Sequence, residues 1–241
     1  MTHSGHHRAL ITGASSGIGR ETALAFAKAG IHLALVGRSE SRLESISEAV
    51  RQMGVDAQVR GIDLADVGQV KARIGSFLED VGPIDILVNN AGMGYTGDLI
   101  STPLEDWQQV IALNLTSVFQ CIQAVLPPMR DRQQGTIINV ASIAGYQFFP
   151  GWGAYNVSKA GLIALSKTLA AEERSHGIRV VTIVPGAVNT SIWDTDTVQA
   201  DFDRSKMLTP ETVAQTIVHA ALLPQHAVIE ELTVMPSAGA L

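Results

Sequence analysis

The chain has a single cysteine, Cys121, so no internal disulfide is open to it and its core alone must hold the fold. Cationic excess is also missing: 17 lysines and arginines against 23 acids give a net charge of −6, with no basic face for a nucleic-acid backbone. Read residue by residue, no apolar run approaches the roughly 18–20 residues of a membrane helix. The opening Met-Thr-His-Ser-Gly-His-His-Arg lacks the apolar centre of an export signal. A soluble protein of the reducing cytoplasm, with no membrane or nucleic-acid partner, is the expectation. His3, His6 and His7 read as a solvated terminus, and no metal is expected. No Ser/Gly/Pro-rich linker or internal repeat divides the sequence, which implies one domain over residues 1–241.

Hydrophobic residues make up 46% of the chain, enough for a large buried core. Short β-branched runs alternate with longer amphipathic stretches throughout, the pattern of βαβ units around a parallel sheet. Strands are expected at 8–12, 32–36, 56–61, 84–89, 135–141, 179–184 and 229–234. The first helix is expected over 17–29, ending at Gly30, and the second over 40–53. Asp66 is expected to cap the third, and Thr102-Pro103 and Thr209-Pro210 have the cap-then-proline order of two later starts. Residues 107–126 and 154–171 are too apolar for a helix with one buried stripe, so either the monomer covers both sides or a second subunit does, and the second subunit is the expectation.

The strand at 8–12 runs directly into a turn containing Gly13, Ser15, Ser16, Gly17 and Gly19, and then into a helix. Gly13 permits the tight turn, Gly17 lets backbone approach a pyrophosphate, and Gly19 lets helix pack on strand; the helix N-terminus adds amide donors. At the end of the second strand, where an acid would hydrogen-bond a ribose 2′-hydroxyl, the chain has Gly37 followed by Arg38. The planar guanidinium suits a 2′-phosphate, so NADP(H) is the expected cofactor. Asp63, with Leu64 beside it, lies past the third strand, where its carboxylate can accept from the adenine amino group.

Tyr155 and Lys159 are four apart on an expected helix and share a face. A phenol with an ordinary pKa near ~10 donates and accepts protons poorly at neutrality, and a neighbouring ammonium lowers that value. Lys159 can also hold a nicotinamide ribose. Ser142 ends the fifth strand at the sheet edge where α/β proteins bind ligands, placed to hold a carbonyl oxygen. Asn114, an amide within an apolar helix, is expected to hold a water that links Lys159 to solvent.

The motifs Thr12-Gly-x-x-x-Gly-Ile-Gly19, Asn89-Asn-Ala-Gly92, Asn114, Ser142, Tyr155-x-x-x-Lys159, Pro185-Gly186 and Thr190 follow in order. In these the chain resembles the compact, single-domain short-chain dehydrogenase/reductase family over nearly its whole length. The resemblance implies a doubly wound, Rossmann-type α/β fold with a seven-stranded parallel sheet and three helices on each face. It implies that Ile18 and Asn89 contact the cofactor, that the stretch Asn89 to Gly92, Ala91 and Gly92 among it, stabilises the sheet and lines the cleft, and that Pro185, Gly186, Val188 and Thr190 hold the nicotinamide end. It also implies a homodimer or homotetramer built through the two apolar helices.

Substrate selection is expected from residues 93–96, 143–152 and 188–207. Met93, Phe148, Phe149, Trp152 and Trp193 either line an apolar pocket or serve packing and subunit contact. Arg204 is the one candidate there for a substrate carboxylate. The tail, Leu223 to Pro236, looks more like the branch of NADP-dependent 3-hydroxy acid dehydrogenases and carbonyl reductases than like 3-oxoacyl-carrier-protein reductases. The expected activity is reduction of ketones or aldehydes, with those two dehydrogenase and reductase types as alternatives. An NADP-sensing protein without catalysis is the alternative of another class, disfavoured by the complete Ser142, Tyr155 and Lys159 set.

Overall fold

A computed structural model describes residues 7–200 and 202–239. His3 and His6 lie outside these residues.

Seven parallel strands form one sheet in the order β3-β2-β1-β4-β5-β6-β7. They are β1 Arg8–Thr12, β2 His32–Gly37, β3 Ala57–Gly61, β4 Ile86–Asn89, β5 Gly135–Val140, β6 Ile178–Pro185 and β7 Glu231–Val234. Each lies within two residues of its expected place. Side chains alternate across a strand, so Ala9 and Ile11 join one core and Leu10 the other. The first core is covered by α1 Gly17–Lys28, α2 Glu40–Arg51 and α7 Pro210–Ala221; the second by α3 Val67–Val81, α5 Ser117–Asp131 and α6 Gly153–Glu173. Three helices per face leave every central strand buried on both sides, which is why those strands read as continuous apolar runs. The order reverses between β1 and β4, and a crevice opens there at the carboxyl ends of the strands.

Local signals held unevenly. Gly30, at φ +77°, follows α1 as a left-handed stop should. Thr209 caps α7, its Oγ1 accepting from the Thr212 amide at 3.3 Å, and Pro210 occupies the first helical position. At α4, Leu104–Ile111, the cap position belongs to Pro103, while the Thr102 hydroxyl donates to Asp98 O at 2.9 Å. Asp66 stands before α3 but makes no side-chain cap bond; its carboxylate lies 4.0 Å from Arg73 instead.

Helices α4 and α5 join through a π-helical turn, Ala112–Thr116, into one rod, Leu104–Asp131. By length and composition this rod could cross a membrane, with a mean hydropathy of 1.6 in its most apolar window, contrary to the expectation that no stretch qualifies. Its apolarity has another use in the fold. Val118, Cys121, Ile122, Val125 and Met129 pack into the second core, which requires one strongly apolar face. Phe119 and, on α6, Val157 stay 43% and 48% exposed on the outer sides of these two helices.

Candidate active site

The carboxyl ends of β1, β2, β4, β5 and β6 surround a cleft of about 740 Å³. Gly13, Gly17, Ile18, Ser15 and Ser16 form one wall. Gly13 and Gly17 have φ of +65° and +52°, left-handed values that side chains resist. A Cβ on Gly13 would lie 2.8 Å from Ala91 Cα, and one on Gly19 would lie 2.3 Å from Gly13 O. Gly19 thus acts behind the turn, packing α1 against it, and does not line the cleft. The result is a shallow wall of backbone at a helix N-terminus, a favourable place for anionic oxygens.

Arg38 lies exposed at the cleft mouth and forms no ion pair among the described residues. Asp63 and Leu64 line the same end, and the Asp63 carboxylate accepts from the Ala65 amide at 3.0 Å, so it caps its own loop rather than α3. Pro185, Gly186, Val188 and Thr190 border the far side with Ala91, Gly92 and Met93.

Asn89 departs from expectation. Its side chain is buried in the sheet and donates to Asn139 Oδ1 at 2.9 Å, while Asn139 donates to Ser166 Oγ at 2.8 Å. The cleft position belongs to Asn90, whose Nδ2 donates to Thr12 O and Gly13 O at 3.0 and 3.3 Å and braces the glycine turn. Strand alternation is the physical reason, since successive residues leaving β4 point opposite ways.

At the inner end, Ser142, Tyr155 and Lys159 converge. Ser142 leaves β5 with its Oγ accepting from the Ala144 amide at 3.1 Å, which fixes the hydroxyl at the strand edge. Lys159 is 5% exposed and donates to Val140 O at 3.0 Å. Burial lowers its pKa from 10.5 to about 8. Burial also raises the Tyr155 phenol above its ordinary 10.0, with the Ser142 hydroxyl pulling the other way. The Lys159 ammonium, expected to lower the phenol, sits 5.8 Å from its ring centroid, and burial is the larger influence on Tyr155.

Asn114 does not reach the cleft. It is fully buried in the π-turn, where its Oδ1 accepts from the Met93 amide at 2.8 Å and its Nδ2 donates to Met93 O at 2.9 Å and Ser158 Oγ at 3.0 Å. Both amide hydrogens are thus taken, so a relay water of the kind expected would have to donate to the remaining lone pair of Oδ1, which faces the same point over Gly92 as Lys159 Nζ. Ser158 donates in turn to Tyr155 O at 2.8 Å, so Asn114 ties the π-turn to the helix that carries Tyr155. Ser158 had not been singled out, and Asn90 only as part of the Asn89 to Gly92 stretch; a second polar residue inside each motif was the available signal.

Three aromatic rings continue from Tyr155 in edge-to-face contact. Trp152 lies 5.5 Å from Tyr155, Trp193 lies 5.8 Å from Trp152, and Phe202 lies 5.3 Å from Trp193 between ring centroids. Phe149 also lines the cleft, but Phe148 is 71% exposed and does not, because the turn after β5 directs the two neighbours oppositely. Arg204 is no substrate arginine. Its Nε donates to Asn189 Oδ1 at 2.8 Å, and its terminal nitrogens reach Asp194 Oδ1 at 2.5 Å and Thr190 O at 2.9 Å.

Comparison with known proteins agrees with this architecture. An uncharacterized oxidoreductase of Staphylococcus saprophyticus is 34% identical over 231 residues, covering 95% of this chain and 96% of its own. The 3-oxoacyl-[acyl-carrier-protein] reductase FabG of Staphylococcus aureus is 38% identical over 77% of this chain and 76% of its own. Glycine betaine reductase ATRR of Emericella nidulans is 32% identical over 95% of this chain, which spans only 18% of that longer protein. Among solved structures, an alcohol dehydrogenase from the archaeon Thermococcus sibiricus complexed with 5-hydroxy-NADP superposes with a TM-score of 0.89 at 29% identity, over 98% of this chain and 99% of that one. A metagenomic short-chain oxidoreductase in complex with NADP gives 0.84 at 29% identity, over 96% and 97%. The family model for short chain dehydrogenases matches residues 7–200, and with that match the chain belongs to the short-chain dehydrogenase/reductase family of oxidoreductases.

Proposed function

We propose that the protein is an NADP(H)-dependent oxidoreductase that interconverts an uncharged carbonyl compound and its alcohol. The observation that carries this reading is one cleft with a glycine turn and unpaired Arg38 at one end and Ser142, Tyr155 and Lys159 at the other. The residues present fit a phosphorylated dinucleotide. The turn has no side chain where any Cβ would collide, and Gly37 stands where an acid would repel a 2′-phosphate. The NADP and 5-hydroxy-NADP complexes of the two solved relatives support the same choice. In this reading Gly13 to Ile18 receive the pyrophosphate, Arg38 the 2′-phosphate and Asp63 the adenine, while Val188 and Thr190 hold the carboxamide.

The bound nicotinamide would supply hydride in reduction and accept it in oxidation. Tyr155 gives its hydroxyl proton to the substrate oxygen in reduction and removes it in oxidation. Ser142 Oγ donates to that oxygen and stabilises the charge that develops there. Lys159, held against Val140 O, keeps a positive charge behind the phenol and grips the ribose.

Met93, Leu113, Ile192, Trp193, Val198 and Phe202 line the substrate end, and the ionisable groups there are Tyr155 and Lys159 alone among the described lining residues. A carboxylate would lose its hydration there with no arginine among that end's lining residues to receive it, since Arg204 is turned onto Asn189, Thr190 and Asp194. That favours neutral ketones with apolar or aromatic substituents over 3-hydroxy acids. The likeness to 3-oxoacyl-[acyl-carrier-protein] reductase supports a second reading, reduction of oxoacyl thioesters. The test follows NADPH oxidation with aryl ketones, β-keto esters, oxoacyl thioesters and, in reverse, 3-hydroxy acids, with NADH as control. Aryl ketones should turn over fastest. Activity confined to oxoacyl thioesters would replace the first reading with the second, and a preference for NADH would remove Arg38 from its role.

The exposed outer sides of α5 and α6, which carry Phe119 and Val157, support homo-oligomerisation through these helices.

A further inference from the structure

The segment between β6 and α7 is closed at its base by a bridge between Val188 and Leu208, with the Asn189 amide donating to Leu208 O at 2.8 Å and the Leu208 amide to Ala187 O at 2.9 Å. Beyond that, the regular structure among its described residues amounts to two short 3-10 turns, Ser191–Asp194 and Arg204–Lys206. Yet it carries Trp193, whose ring meets Trp152 at 5.8 Å, and Trp152 meets the Tyr155 ring at 5.5 Å. Trp193 is thus one ring removed from the proton donor. Its indole Nε1 donates to Val188 O at 2.7 Å, which sets the ring's orientation within the segment but not the segment's position.

Bonds to a neighbouring loop set that position: Thr197 Oγ1 donates to Gly94 O at 2.9 Å, and the Thr96 and Gln199 amides donate across the gap at 2.8 and 2.7 Å, tying the segment to the loop after β4. Within the segment, Arg204 reaches back to Asn189, Thr190 and Asp194, the residues that flank Trp193, and holds their shape around the ring. One such bond on a partly exposed arginine contributes little. Three acceptors arranged around one rigid guanidinium plane constrain direction as well as distance, which a lysine's single ammonium does not.

We propose that Arg204 is a positioning residue that latches Trp193 in place, and that Trp193 so held is the wall limiting the size of the carbonyl substituent the cleft accepts. The proposal rests on the functional reading above. Tyr155 and Lys159 belong to α6 and Ser142 to the end of β5, so loosening the latch leaves the proton donor where it is. It acts on substrate fit, hence on KM and on the ratio of bulky to small substrates rather than on kcat.

The experiment compares acetophenone with benzophenone, using NADPH, in the wild type and in Trp193→Ala, Arg204→Met, Arg204→Lys and, as control, Arg174→Met at an exposed ion pair with Glu230. Trp193→Ala should raise the benzophenone-to-acetophenone ratio of kcat/KM by on the order of tenfold or more. Arg204→Met should raise KM for acetophenone about fivefold or more with kcat within about twofold, and Arg204→Lys should fall between it and the wild type. Amide hydrogen exchange in the segment 189–198 should quicken at least about tenfold in Arg204→Met and stay unchanged in Arg174→Met. A substrate ratio unmoved by Trp193→Ala, or exchange unmoved by Arg204→Met, overturns the proposal. If the wild type reduces neither ketone but reduces another carbonyl class, the functional reading fails by itself, and exchange together with that class's small and bulky members decides the latch.

Discussion

Replacing Lys159 by methionine should make the cofactor-free protein more stable and catalytically inert. The lysine is 5% exposed and its pKa falls from 10.5 to about 8, with desolvation as the cause. A displacement of that size corresponds to roughly 3 kcal/mol against the charged form in the folded state. Methionine has similar length and no charge to bury. It forfeits the bond to Val140 O, a loss of about 1 kcal/mol, so the net gain at pH 7 should be about 2 kcal/mol. For a domain of this size that is on the order of 4–8 °C in Tm. Turnover should fall at least about a hundredfold, because the charge behind Tyr155 is gone.

The sign with pH separates this cause from better packing. The folded pKa of about 8 lies below the unfolded value near 10.4, so between those values the unfolded chain binds more protons and wild-type stability rises with pH from this group. The methionine variant lacks the contribution. Its advantage should therefore be full below pH 8 and fade as pH approaches 10.4. Thermal denaturation of both proteins without cofactor at pH 7 and pH 10, together with NADPH turnover at pH 7, makes the measurement. A variant less stable than wild type at pH 7, or one with the same offset at both pH values, would refute the reasoning.

Tyr155→Phe should lower kcat/KM for ketone reduction by about 10²–10⁴ while NADPH binds within about twofold of wild type; undiminished turnover would remove Tyr155 as the acid, and a partner function surviving intact would revive the sensor reading. Arg38→Ala should raise the KM for NADPH by about tenfold or more and leave the KM for NADH unchanged, as read from initial rates. Because burial holds the Tyr155 phenol protonated beyond neutrality, alcohol oxidation should climb with pH whereas reduction should not; parallel profiles would count against the assignment. Phe119→Glu combined with Val157→Glu should reduce the mass measured by light scattering to that of a smaller assembly, and an unchanged mass would place the interface elsewhere.

Most of the fold was legible because its signals are local. The central strands are short apolar runs with turns beside them, and the crevice follows from strand order alone. Where expectation failed, a one-residue alternation or a competing partner decided the outcome. Asn89 and Asn90 are adjacent and chemically identical, and only their directions from β4 separate a sheet ladder from a cleft wall. Phe148 and Phe149 divide in the same way. The rod Leu104–Asp131 was legible as unusually apolar from residues 107–126, but not as one continuous helix, because the π-turn at Ala112–Thr116 joins α4 to α5 without a break in direction.

The two arginines at the cleft show what the order of residues does not encode. Arg38 and Arg204 both follow strands that feed the site, and either could be assigned to an anionic group by type. Arg204 has an acceptor on Asn189, Thr190 and Asp194, so a ligand would have to displace a bond to use it. Arg38 has no ion pair among the described residues, so an incoming phosphate meets no competitor beyond water. Asn114 follows the same logic as Arg204: a polar group whose every nitrogen already donates within the protein is held to position other groups, and a group without such partners is open to what arrives. By that criterion the proposed ligand contacts fall to Arg38, Ser142 and Tyr155, whereas the bonds of Asn90, Asn114, Ser158 and Arg204 tie the surrounding backbone together.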